Sequence, residues 1–74
     1  MGNIRKKIGS SLRELRLSQR GMTVYRLSQL TGIQQSTIAR IEDGKFSFRI
    51  DTVETLCAAL GAELKVVKSY DDDE

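Results

Sequence analysis

Apolar residues recur along this chain at spacings of three to five, with polar stretches between them, which is the periodicity of short helices that each bury one face. Ile4, Ile8, Leu12 and Leu15 recur at four, four and three and predict an amphipathic first helix whose outer face is basic through Arg5, Lys6 and Arg13. This helix is expected to end near Gly21. Met22 follows as an apolar staple ahead of Thr23, whose hydroxyl can accept from an open backbone N–H in the first turn of a second helix. Leu27 and Leu30 are the expected inner stripe of that helix, and Ser28 is small enough to let another helix approach. Gly32 falls where a chain leaving a helix needs positive φ, which glycine adopts without a Cβ penalty. Ile33, Ile38 and Ile41 then carry the pattern on at five and three, so a third helix keeps one face inward and leaves Gln34, Gln35, Ser36, Thr37 and Arg40 largely outward.

Asp43-Gly44 stops the third helix. From Lys45 to Ile50, Phe46, Phe48 and Ile50 alternate with Ser47 and Arg49, a period of two that fits a strand or an extended loop laying two aromatics over the core. Asp51 with Glu54 three later reads as a capping box, followed by Val53, Leu56, Cys57 and Leu60 on an inner stripe, and Gly61 closes the helix. Glu63 to Lys68 is short, β-branched and flanked by glycine and by the polar stretch Ser69 to Glu74, and it reads as a strand. A single strand leaves its N–H and C=O groups unpaired. Its partner is its own copy in a second subunit, Phe46 to Ile50 of the same chain, or another protein; a frayed apolar tail or a continued helix is the remaining alternative.

The stretch from Thr23 to Gly44 is thus a pair of short helices hinged at Gly32, with the exposed face of the second left polar. This is the layout of a helix-turn-helix that sets a recognition helix in the DNA major groove; an ordinary helical hairpin with a solvated face shares the turn. Composition narrows the choice. At 74 residues the chain has room for one small core and about three to five short helices, with no second, ligand-sensing domain. The formal charge of +2 understates its polarity: four of the ten acids are Asp71 to Glu74, and the twelve bases face only six acids elsewhere. Ten of those bases lie in residues 1–49 against Glu14, Glu42 and Asp43, so a basic front precedes an acidic end, which suits a polyanionic partner.

With no histidine and one cysteine there is no zinc set and no internal disulfide, and a reducing, cytoplasmic setting is expected. Cys57 lies on an inner stripe and reads as a small core residue. The bases near the N-terminus precede no apolar run, against a signal peptide, and no segment reaches membrane-spanning length. Nucleophilic and general-base chemistry find no histidine, no cysteine with a base beside it and no paired carboxylates, so an enzyme is not expected, nor is a cofactor or a bound metal.

Ile8, Leu12 to Arg16, Gly21-Met22-Thr23, Leu27, Thr31-Gly32-Ile33, Ser36-Thr37-Ile38, Arg40-Ile41-Glu42, Gly44-Lys45, Asp51-Thr52-Val53 and Ala59-Leu60-Gly61 together make the chain resemble the Cro/CI-type, or XRE-like, helix-turn-helix regulators, over roughly residues 8–61. The resemblance implies an all-α, lambda-repressor-like bundle of four to five helices with a short C-terminal strand. It implies operator binding as a homodimer, in a transcriptional repressor or autoregulator. The DNA-binding domain would span 1–61, a dimer or partner strand 62–68, and an acidic, disordered tail 69–74. The short C-terminal strand leans toward the antitoxin-type subgroup, in which a toxin protein would be the partner. Carried across by position, Gln34, Gln35 and Ser36 would read bases, with Arg40 one turn on. Thr37, Thr23, Lys45 and Arg49 would hold phosphates. An Arg16–Glu42 ion pair is implied, largely buried and serving helix packing. Val24 stands where the family opens its second helix with a phosphate-binding glutamine, so that contact is not expected here.

Overall fold

The computed structural model describes residues 3–45 and 49–65 and contains four helices among them: α1 (Asn3–Leu17), α2 (Val24–Thr31), α3 (Gln35–Glu42) and α4 (Ile50–Ala59). The first and second both pack on α3, and α4 closes the other side of α2. Leu12, Leu27, Ile38, Ile41, Val53, Leu56, Cys57 and Leu60 form the buried core, and Ile38, Ile41 and Val53 have no exposed surface at all. Each helix therefore contributes the inner residues of its 3.6-residue period, and α3 contributes two of the three that are wholly enclosed.

Local chemistry sets the boundaries. The first helix ends at Leu17, four residues before Gly21, where the Ser18 hydroxyl donates to the Leu15 carbonyl (2.7 Å) and the Gln19 N–H takes the Arg16 carbonyl (3.1 Å). Gln19 reaches across to donate its side-chain amide to the Leu60 carbonyl (2.8 Å), satisfying an acceptor at the end of α4. Thr23 caps α2 as expected, its Oγ1 accepting from the Arg26 N–H at 3.0 Å. Gly32 leaves α2 at φ 77°, its N–H on the Ser28 carbonyl (2.8 Å). Two hydroxyls then lock the turn. Ser28 donates to the Ile33 carbonyl (2.6 Å), while Thr31 donates to the Leu27 carbonyl (2.8 Å) and accepts from the Ile33 N–H (3.1 Å).

Four expectations are corrected. Leu30 is 52% exposed, because in α2 the inward direction is set by Leu27, with Val24 and Thr31 beside it. Ile4 is 59% exposed, one turn ahead of Ile8, where the stripe of α1 first packs against the core. Asp51 does not cap α4: the helix already begins at Ile50, and the Asp51 carboxylate accepts from Thr52 N–H and from Arg49 instead. Ile50, expected to continue an alternating stretch, is the first helical residue of α4 and half exposed. Residues 62–65 are non-helical and contain no strand, Leu64 packing against the core; Phe46 to Phe48, Val66 to Lys68 and the acidic stretch 69–74 lie outside the described residues.

Two features fix the crossing of α1 over α3. Gly9 is buried, and a Cβ on it would sit 2.3 Å from the Ile41 carbonyl oxygen and 2.8 Å from that of Glu42. About two turns further along α1, the Arg16 guanidinium grips Glu42 with two parallel donors, Nε to Oε2 at 2.7 Å and Nη2 to Oε1 at 3.0 Å, and donates Nη1 to the Met22 carbonyl at 3.1 Å. The two side chains are only 10% and 7% exposed, and the bond to Glu42 raises the Arg16 pKa despite the opposing effect of burial. The ion pair implied by the family resemblance is thus present, as a bidentate fork tied also to the turn before α2.

Gly9→Ala is expected to cost more than Gly32→Ala in urea unfolding. The first forces a methyl into a backbone carbonyl and falls at or above about 1–3 kcal/mol, the range of overpacking; the second has open space and costs only the left-handed backbone, about 1 kcal/mol. Arg16→Met alone should lose about 3 kcal/mol by stranding a buried carboxylate, and Arg16→Met with Glu42→Leu should recover most of it, a comparison that the same unfolding curves decide.

Candidate nucleic-acid interface

Because Ile38 and Ile41 face the core and Glu42 is held by Arg16, the orientation of α3 about its own axis is fixed. What remains outward is Gln34, Gln35, Ser36, Ala39, Arg40 and Asp43, all exposed, with Thr37 half-buried at the edge of the inner face. Among the described residues none of the side chains of Gln34, Gln35, Ser36 and Arg40 bonds to another protein group. Gln34 is the N-cap of α3, yet its side chain caps nothing. An amide that does not close the helix beneath it can be spent on a ligand. Glutamine offers a donor and acceptor matched to adenine N6 and N7, and an arginine fork matches guanine O6 and N7.

The phosphate-holding candidates are less uniform. Thr23 is exposed at the start of α2, and with its oxygen accepting from Arg26 its hydroxyl proton is left to donate outward. Lys45 is exposed just beyond α3, its backbone N–H anchored on the Arg40 carbonyl at 2.9 Å. Arg49 is exposed but engaged: Nη2 lies 3.1 Å and Nε 3.3 Å from the Asp51 carboxylate. That bond raises the Arg49 pKa and, as the largest cause, lowers that of Asp51, so the acid stays ionised beside the guanidinium. The sequence gives this pair no signal beyond a base and an acid two apart. Two contributions were missed by sequence reasoning: Gly9, which admits α3 against α1, and Ala39, which is exposed on the outer face but was not counted in the polar set.

The single thiol is buried, and burial pushes the Cys57 pKa up, the Glu54 carboxylate adding to it, which keeps the sulfur an unreactive thiol in the core. No helix among the described residues is long and apolar enough to cross a membrane.

The family model of the Cro/C1-type HTH DNA-binding domain matches residues 12–65, well over half of the chain. The chain belongs to this family. The match takes in α2, the Gly32 turn, α3 and α4, and it starts at the buried Leu12 of α1. Membership makes DNA its partner and transcription regulation its setting. No curated protein and no solved structure gives a significant match.

Freeing Arg49 gives a direct check on the loop. Asp51→Asn should raise affinity for any duplex and steepen the dependence of log K on log salt by up to about 0.9, the increment of one added phosphate contact, as read by fluorescence anisotropy across a salt series.

Proposed function

We propose that this chain is a sequence-specific, dimeric transcriptional repressor or autoregulator, with α3 laid in the major groove of its operator. The observation that carries the reading is the division of α3: its inner face is clamped by core packing and the Arg16 fork, and its outer face presents polar side chains with no intramolecular partner among the described residues. In this reading Gln34 and Gln35 read adenine edges, Ser36 adapts to either base type, and Arg40 reads guanine or holds a phosphate. Thr23, Thr37 and Lys45 hold phosphates and set the register, and Arg49 joins them when a phosphate displaces Asp51. One helix offers about four base contacts, too few for selectivity in a genome, whereas a twofold dimer doubles them on major-groove turns about 34 Å apart. Dimerisation is therefore part of the function, and residues 62–68 are the proposed dimer or partner element. With no sensor domain in these residues, control comes from concentration, association or a partner protein.

A second reading is supported by a separate feature. An open groove of about 580 Å³ runs between α1 and α4, lined by Ile8, Leu12, Leu15, Val53, Cys57 and Leu64. Such a surface beside the start of the 62–68 element suits an antitoxin-type module that neutralises a toxin protein, DNA binding being secondary. A stoichiometric protein co-purifying with the chain from its native host favours this reading, and recovery of DNA alone counts against it.

Selection from random duplexes should enrich one sequence, and on that duplex Gln35→Ala and Arg40→Ala should each cost about 1–3 kcal/mol, that is roughly five- to 150-fold in Kd. Affinities within twofold of wild type for both variants would remove α3 as the reading element.

A further inference from the structure

Of the six exposed side chains from Gln34 to Asp43, five carry a hydrogen-bonding group or a charge. The sixth, Ala39, ends in a bare methyl. At about 100° per residue Ala39 projects between Gln35 and Ser36 and on the far side of the helix from the wholly buried Ile41, so it belongs to the same outward face as the base-reading candidates. It follows Gln35 by four residues, about 6 Å along α3, under two base-pair steps of about 3.4 Å.

A methyl in that position has one chemical counterpart in the major groove. Hydrogen-bonding edges of bases gain nothing from alanine, and a base atom that loses water against a methyl without a new partner is penalised. The thymine C5-methyl is the apolar group that a base pair presents on this side of the duplex, and it loses unfavourable hydration when it meets another methyl. The shortness of Ala39 matters as well. Its neighbours Gln35 and Arg40 extend several bonds further, so they reach base edges on either side while the space over Ala39 is left for one protruding group.

Resting on the reading of α3 as the recognition helix, we propose that Ala39 is a specificity residue that recognises the 5-methyl group of a thymine within two base pairs of the base read by Gln35. The half-site accordingly contains an A·T pair selected through its methyl group, in addition to any adenine selected by hydrogen bonding.

The test uses the full chain and the duplex enriched from random sequence. Each thymine in the half-site is replaced singly by deoxyuridine, which deletes the methyl and keeps the hydrogen-bonding edge, and Kd is measured for wild type, Ala39→Gly and Ala39→Ser. Wild type is expected to lose about fourfold at one thymine, the worth of about one buried methyl group. Ala39→Gly and Ala39→Ser should bind the thymine and deoxyuridine duplexes equally, and comparing the two duplexes within each variant cancels any cost to folding. Indifference of wild type to every substitution, or a methyl effect that persists in both variants, overturns the assignment of Ala39 alone. Failure to enrich any duplex overturns it together with the DNA-reading role of α3.

Discussion

The bidentate contact of Arg16 with Glu42 is the constraint on which the rest of the arrangement depends. Glu42 is the last residue of α3, and Arg16 lies near the end of α1. The fork therefore pins one end of α3 to a second helix while Nη1 holds the Met22 carbonyl at the entry to α2. Three parts of the chain meet in one planar group. A lysine has neither the two edges nor the fixed geometry to do this. The energetic meaning is specific: a buried pair of this kind adds little net stability over an apolar pair, yet removing one partner is costly, so it acts against misplacement of α3 more than for overall stability.

Around that anchor, packing supplies the stability and the turns supply the angle. Gly9 lets the α3 backbone come within contact distance of α1, and Gly32 with the Ser28 and Thr31 hydroxyls sets the direction in which α3 leaves α2. The inward isoleucines of α3 then leave it no freedom to rotate. The backbone of α3 is thereby held at a fixed place and angle, while its exposed, unpaired amide and guanidinium side chains keep their rotamer freedom. The charge arrangement is more graded. Lys45 is open to solvent, whereas Arg49 is checked by Asp51, so one of these two bases beyond α3 has its charge offset by a neighbouring acid.

Much of this was legible from residue spacing. The isoleucine spacing marked the inner face of α3, Thr23 marked the cap of α2, and Gly32 marked the turn, because each signal is local: a period, a hydroxyl one turn from its N–H, a residue without Cβ. The Arg16–Glu42 pair came from family resemblance, since nothing in either residue alone announces a partner 26 positions away. Leu30 and Ile4 misled because a three- or four-residue spacing names a stripe without saying how much of it a neighbouring helix covers.

By itself, then, the sequence determined the helices, the hinge between α2 and α3, the polar character of α3's outer face and the family to which they belong, since periodicity and capping act within one or two turns. Tertiary structure decided what required two distant segments to meet: the need for glycine at position 9, the reach of Gln19 to the Leu60 carbonyl and the turning of Leu30 to solvent. Those outcomes depend on close packing and on which side of a helix its neighbours enclose, and neither quantity exists until the helices are assembled.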